Sequence, residues 1–331
     1  VAWVIPNEEK ERTVEIVGAV EDPVPGWGGE GPVATDFRTR AFVKVQEGCD
    51  NHCTYCIVRT LRGPPRSRPL ADVVAEVRDQ VAAGRREAVL TGVNLGAYGR
   101  DLGLEHGLAD LVAALLERTD LPRLRLSSLE PWDVDLGLLD LWSDPRLCRQ
   151  LHLPLQSGCD TVLRRMGRRI TCDEFASLAE AARDHIPDLA LTTDVLVGFP
   201  GETAADFEGS LAFVERMAFA RLHVFPFSPR PGTPAAEMDD QVPLETRRER
   251  AQRMRALGTR LARRFQERFV GREMEVLWEH RRSDGTWSGL TDNYLRVVAP
   301  GLDDLHNRIT RTRLVELEKG HFVGEVTART D

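Results

Sequence analysis

From Arg40 onward the chain repeats one pattern: a short apolar run, an amphipathic stretch, then another apolar run. The runs fall at 41–46, 87–91, 123–127, 150–154, 189–197 and 221–226. Each has the length of a buried strand, and amphipathic stretches suited to crossover helices separate them. In 70–83, Val73, Val74, Val77 and Val81 share one helical face, and Gly84 supplies a stop. Thr171 with Glu174 reads as a capping box opening another helix. Six strand–helix units in series predict an α/β fold with a parallel sheet, and a partial (β/α)6 barrel is one closure of it. Sites on such folds sit at the C-terminal strand ends.

The flanks differ. Pro23, Pro25, Gly26, Gly28, Gly29, Gly31 and Pro32 crowd together and suit a linker, not a core. The polar segment 243–268 carries an apolar stripe, Met254, Leu257, Leu261 and Phe265, and predicts a long helix. After Gly271, short alternating runs at 274–278, 294–298, 312–317 and 322–327 predict a small all-β barrel. Three parts are expected: 1–36, a remnant and linker; 37–268, the α/β core; and 269–331, the small barrel.

With 42% hydrophobic and 29% charged residues, the composition is that of a globular chain that needs no disulfides. No run approaches the length of a membrane helix, and no basic segment leads into an apolar one at the start, so neither a membrane span nor a secretory leader is expected. The net charge of −8 does not announce a nucleic-acid binder. Yet between Glu245 and Arg272 ten arginines stand against three glutamates. That segment reads either as a track for phosphates or as an amphipathic helix whose glutamates pair its arginines.

Three of six cysteines cluster as Cys49-Asp50-Asn51-His52-Cys53-Thr54-Tyr55-Cys56, just after the first strand. A C-x3-C-x2-C cluster points to a metal site in a reducing, cytoplasmic compartment rather than to secreted disulfides. Thiolates are the ligands of iron–sulfur clusters, and three of them on a four-iron cube leave one iron open. An open iron can chelate the amino and carboxylate groups of S-adenosylmethionine (SAM), whose reductive cleavage gives a 5′-deoxyadenosyl radical. The alternatives are a zinc site completed by His52, or three unrelated core cysteines. Cys148, Cys159 and Cys172 read as buried small hydrophobes.

Further motifs accompany the cysteines: Arg62-Gly63 with Ser67-Arg68-Pro69, Leu129-Glu130-Pro131, His152-Leu153-Pro154-Leu155-Gln156-Ser157-Gly158, Asp194 with Gly198-Phe199-Pro200-Gly201-Glu202-Thr203, and Phe225 through Pro234. Together they resemble the radical SAM methylthiotransferase family. Leu90-Thr91-Gly92-Val93-Asn94-Leu95-Gly96-Ala97-Tyr98-Gly99 and Thr291-Asp292-Asn293-Tyr294 resemble its branch acting on N6-threonylcarbamoyladenosine beside the tRNA anticodon. The resemblance implies a [4Fe–4S] cluster, SAM, tRNA and an electron-donor protein as partners, and a terminal barrel of the TRAM type. A monomer is expected. Val1–Val17 resembles only the last stretch of the family's N-terminal domain, which holds a second cluster on three further cysteines. The competing expectations are methylthiolation of a ribosomal protein, and an iron–sulfur module that docks RNA without turnover.

The expected catalytic and metal ligands are Cys49, Cys53 and Cys56. The expected SAM contacts are Tyr55 in the cluster loop, Gly92 and Asn94 after the second strand, Ser128 and Glu130 after the third, Gln156 and Ser157 after the fourth, Asp194 in the fifth, and Arg168 for the SAM carboxylate, its neighbours Arg165 and Arg169 being weighed with it. Tyr294, Arg296 and Trp287 are candidates for RNA contact, Trp287 equally for core.

Overall fold

The computed structural model describes residues 39–301 and 304–330. The remnant and linker expected before residue 37 lie outside them.

Six parallel strands form the larger unit: β1 (Arg40–Glu47), β3 (Glu87–Gly92), β4 (Arg123–Leu126), β5 (Gln150–His152), β6 (Ala190–Val197) and β7 (Arg221–Pro226). They coincide with the six apolar runs, with ends shifted by a residue or two. The short β2 (Arg66–Ser67) adds antiparallel to β1. The strands run in sequence order, as β1-β3-β4 and β5-β6-β7. Single bridges, Leu124 to Leu147 and Ser128 to His152, join the two halves. Among the described residues β1 and β7 do not pair, so the barrel stays open along one side.

The sequence dictates the outer layer. α1 (Val58–Arg62) is a single turn; α2 (Leu70–Ala82) buries Val73, Val74 and Val77, with Val81 packed at the margin. α3 (Leu108–Arg118), the short α4 (Leu136–Asp140) and α5 (Asp160–Arg165), α6 (Cys172–His185) and α7 (Ala204–Met217) follow. Thr171 and Glu174 make the capping box of α6, and Thr203 with Asp206 makes a second one on α7. α8 (Leu244–Glu267) lays Met254, Leu257, Leu261 and Phe265 inward.

The arginines of α8 are mostly engaged. Arg250 pairs with the buried Glu202 at 3.1 Å, Arg253 with Glu208 at 2.7 Å, and Arg263 with Glu267 at 2.8 Å, while Arg247 donates to the Phe227 carbonyl. Beyond its end, Arg268 and Arg272 meet Asp188. The amphipathic helix is as expected, but only Arg263 pairs with a glutamate of its own helix; Arg250 and Arg253 find theirs in Glu202 and Glu208, before and on α7.

The terminal unit is a closed five-stranded barrel: β8 (Glu273–Arg281), β9 (Trp287–Thr291), β10 (Arg296–Ala299), β11 (Ile309–Glu318) and β12 (His321–Thr330), ordered β10-β12-β11-β8-β9. β9 was not foreseen, because Gly289 interrupts its alternation. A Cβ at Gly289 would lie 2.6 Å from the Leu277 carbonyl oxygen, so the glycine permits the two strands to close.

This barrel seats against the N-terminal strand ends of the larger one. Arg123 donates to the Leu290 and Glu275 carbonyls, Arg125 to the Asp292 carbonyl at 2.7 Å, and Arg149 Nε pairs with Asp292 at 2.6 Å. Arg125 also pairs with Glu87 at 2.8 Å, both side chains only 1% exposed, and the Tyr294 ring lies 3.8 Å from its guanidinium. Of the RNA candidates, Trp287 takes the core place that was its alternative, buried in the small barrel, while Tyr294, left-handed with φ 62, faces Arg125 and stays 38% exposed. Arg296 bonds Ser288 Oγ and approaches Glu279 at 3.8 Å.

Candidate cluster and cofactor site

Immediately after β1 the chain turns at Gly48 with φ 77, where a Cβ would lie 2.0 Å from the Pro64 carbonyl oxygen. Only glycine fits. The loop that follows is fastened on several sides. Cys49 N–H donates to the Gly63 carbonyl at 3.0 Å, Thr54 N–H to Met166 at 2.9 Å, Thr54 Oγ1 to Arg165 at 2.9 Å, and Ala235 N–H to Thr54 at 2.9 Å. Cys49, Cys53 and Cys56 are half-buried and free of disulfides.

The three sulfurs do not sit as a set within 4.8 Å of one another; the one His/Cys/Asp/Glu group that tight among the described residues lies elsewhere. A zinc tetrahedron of thiolates has edges of roughly 3.8 Å. His52, the zinc alternative's fourth ligand, is exposed and its Nδ1 lies 2.6 Å from Arg59 Nη1. With His52 engaged by Arg59, the loop offers three thiols, the donor set of an iron–sulfur cube with one open iron rather than of a four-ligand zinc ion. Burial pushes the Cys49 and Cys53 thiols up, and Arg168, 3.9 Å from Cys53 Sγ, opposes it there. Metal binding would displace those protons.

The strand ends beside the loop present polar atoms that the chain itself does not satisfy. Asn94 is 4% exposed, and neither its Oδ1 nor its Nδ2 has a partner. Asn51 Nδ2, Trp132 Nε1 and Arg168 Nε are likewise buried and unpaired. Buried polar atoms are normally bonded, so such a concentration marks a place for a polar ligand.

Each residue expected from the sequence can now be placed. Gly92 faces Gln46, whose Oε1 would be 3.0 Å from an added Cβ; close packing accounts for this glycine as well as cofactor approach does. Glu130 and Arg168 meet each other at 2.8 Å, and the Arg168 guanidinium lies 4.5 Å from the Trp132 ring centre. Arg165 turns away to Pro200 and Asp240. Gln156 is left-handed with φ 72, held by the Asp194 carbonyl at 2.9 Å and by Leu196 N–H at 2.8 Å. A strained non-glycine residue at a strand end is a mark of function. Ser157 is buried and accepts from Cys159 N–H at 3.3 Å, while Ser128 is exposed on the lumen side. The Tyr55 ring meets Phe199 edge-on at 6.5 Å. Asp194 Oδ1 lies 3.2 Å from both His152 Nε2 and His223 Nδ1. Burial opposes its ionisation, but the two imidazole hydrogen bonds prevail and hold it far below the usual carboxylate range. Of the remaining cysteines, Cys148 is buried as expected. Cys159 and Cys172 are only half-buried, and Cys159 Sγ lies 3.1 Å from Asp206.

Gln46, Trp132 and His223 were not among the expected residues. Gln46 ties two loops together: Oε1 accepts Asn94 N–H at 2.8 Å, while Nε2 donates to the Glu47 and Gly48 carbonyls. Its place in an apolar run just before Gly48-Cys49 was the available signal.

The family model of the radical SAM superfamily matches residues 43–214. The chain belongs to the radical SAM superfamily. Membership brings a [4Fe–4S] cluster and SAM as cofactors. Among curated radical SAM relatives, the threonylcarbamoyladenosine tRNA methylthiotransferase of Thermotoga maritima is 40% identical over 296 residues, 89% of this chain and 67% of that one. Its counterpart in Bacillus subtilis is 37% identical over 302 residues, 88% and 66%. The tRNA-2-methylthio-N6-dimethylallyladenosine synthase of Thermobifida fusca is 42% identical over 270 residues, 81% and 54%. The chain thus spans about two thirds or less of these relatives. Solved radical SAM folds agree: coproporphyrinogen III oxidase of Escherichia coli superposes with TM-score 0.51 at 15% identity, covering 88% of this chain and 72% of that one. A radical SAM methyltransferase of Kitasatospora setae gives 0.51 at 19% identity, covering 61% and 39%.

Proposed function

We propose that this chain is the radical-generating and RNA-docking part of a tRNA methylthiotransferase that adds a 2-methylthio group to N6-threonylcarbamoyladenosine. The observation that carries the reading is the fastened Cys49–Cys56 loop beside a wall of unsatisfied polar atoms. When bound, the cluster supplies the electron that cleaves SAM and so starts hydrogen abstraction from the adenine. The protein's part is positional. Cys49, Cys53 and Cys56 hold the cluster. Tyr55, Gly92, Asn94, Ser128, Glu130, Gln156, Ser157, Arg168 and Asp194 surround SAM; Asn94 and Arg168 offer free donors, and the strained Gln156 fixes the loop after β5. Residues 37–268 act as the catalytic unit and 269–331 as a TRAM-type barrel for tRNA, in a cytoplasmic monomer served by an electron-donor protein. No helix among the described residues is long and apolar enough to cross a membrane. The curated relatives, two of them named for this tRNA nucleoside, support the choice of substrate.

The test is anaerobic reconstitution with iron and sulfide, then reduction in the presence of SAM. The expected product is 5′-deoxyadenosine, and Cys53→Ala abolishes it. Normal SAM cleavage by that variant, or zinc in place of iron and sulfide, overturns the site. Turnover on a ribosomal protein with none on tRNA overturns the substrate.

A further inference from the structure

Strand register sets which side chains enter the lumen of the larger barrel. Arg40 pairs with Glu87, Phe42 with Val89, Thr192 with both His152 and Arg221, and Asp194 with His223, so these residues share the inner face. The lower part of that lumen is a cavity of about 690 Å³, bounded below by the small barrel and reaching up to Ser128 and His152 at the C-terminal ends of β4 and β5. Three of its features are not explained by radical generation.

One is Gln150, which is 4% exposed; its Nε2 reaches Thr192 Oγ1 at 3.5 Å, but its Oε1 is buried without a partner. Ser127 Oγ, in the same wall, is also unpaired. A buried acceptor left open asks for an N–H from a ligand. Another is charge. The lining contains Arg40, Arg221 and Arg296, and the carboxylates nearest it are already engaged: Asp194 by His152 and His223, and Glu87 by Arg125. Arg40 and Arg296 both lean on Glu279, at 2.9 and 3.8 Å. Arg221, exposed at the start of β7, has no ion-pair or hydrogen-bond partner for its side chain among the described residues. The third is aromatic surface: Phe42 and Tyr294, 56% and 38% exposed, line the same space.

We propose that this cavity is the specificity pocket for the substituent on the exocyclic nitrogen of the target adenine, and that it selects a carboxylate-bearing carbamoyl group. Arg221 pairs with the carboxylate, and Gln150 Oε1 accepts a carbamoyl N–H. The proposal rests on the function given above and deepens it. In adenine, C2 and C6, which carries the exocyclic nitrogen, flank N1, so C2 can face the SAM wall while the substituent reaches down the lumen. An apolar isopentenyl group would leave both Arg221 and Gln150 without a partner, which is the strong form of discrimination.

The test is equilibrium binding by the cluster-loaded, SAM-bound protein of three anticodon stem-loop RNAs. They differ only at one adenosine, which is N6-threonylcarbamoylated, N6-isopentenylated or unmodified. The threonylcarbamoyl RNA is expected to bind at least about ten-fold tighter than the other two. Arg221→Gln is expected to erase that preference, with the unmodified RNA reporting on folding, and Arg221→Lys to keep part of it. If Arg221→Gln weakens all three RNAs equally, Arg221 is a phosphate contact and the pocket assignment falls alone. Equal binding of all three RNAs by the unaltered protein has the same consequence. If no RNA binds, the RNA reading falls and takes the pocket with it.

Discussion

At Gly48 the separation between an added Cβ and the Pro64 carbonyl oxygen, 2.0 Å, is far inside van der Waals contact, and φ is 77. Relief requires moving backbone, not a side chain. Gly48→Ala is therefore expected to cost more than about 2 kcal/mol locally and to deform the loop that begins at Cys49. The readout is iron and sulfide content after reconstitution, alongside far-ultraviolet circular dichroism. A variant that keeps its helical spectrum but loses iron fits; one that loads iron normally contradicts the account. The cysteine loop was legible as a candidate site because its spacing is local and thiolate chemistry is narrow. The pairing of Glu130 with Arg168 was not: the two were expected separately at one pocket, and only the fold shows that each is the other's partner. The stacking of Tyr294 on Arg125 was equally hidden, since it joins residues far apart in the chain through a left-handed turn between β9 and β10.

Elements were the most readable level. The apolar runs gave all six parallel strands because apolar residues recur in them at strand spacing even where polar ones alternate, as with Leu124 and Leu126, Leu151 and Leu153, and Leu222 and Val224. α6 was legible down to its cap: Thr171 Oγ1 accepts Glu174 N–H at 3.2 Å, and Glu174 Oε2 accepts Thr171 N–H at 2.8 Å. Thr171→Ala removes one half of that exchange and is expected to lower stability by about 1 kcal/mol in urea titration. No change in midpoint would mean that packing of Phe175 and Ala179, rather than the cap, fixes where the helix begins. β9 escaped because a five-residue strand containing Gly289 carries too little alternation to be seen, and its glycine is explained only by the neighbouring Leu277 backbone.

The joint between the two barrels was not written in any local pattern, since it is made of charged groups that read as surface in the sequence. Glu87, Asp188 and Asp292 all have carboxyls held below their usual range. Arg272 dominates at Asp188, while Arg125 at Glu87 and Arg149 at Asp292 overcome burial. A carboxyl whose pKa is lower folded than unfolded stabilises the fold above its unfolded value, near 4. That contribution fades as pH falls through the folded value. Melting temperature is thus expected to hold from pH 7 to about 5 and to fall steeply below about 4, with Asp292→Asn flattening the slope. A melting curve indifferent to pH down to 3 would show that these pairs do not secure the joint. The Arg125–Glu87 pair and the Tyr294 ring beneath it also have a geometric meaning. The lumen's depth is set where one barrel docks on the other, by a ring carried on a separate unit. Two chains with identical strands and cysteines, but with their terminal barrels seated differently, would offer chambers of different length to the same radical.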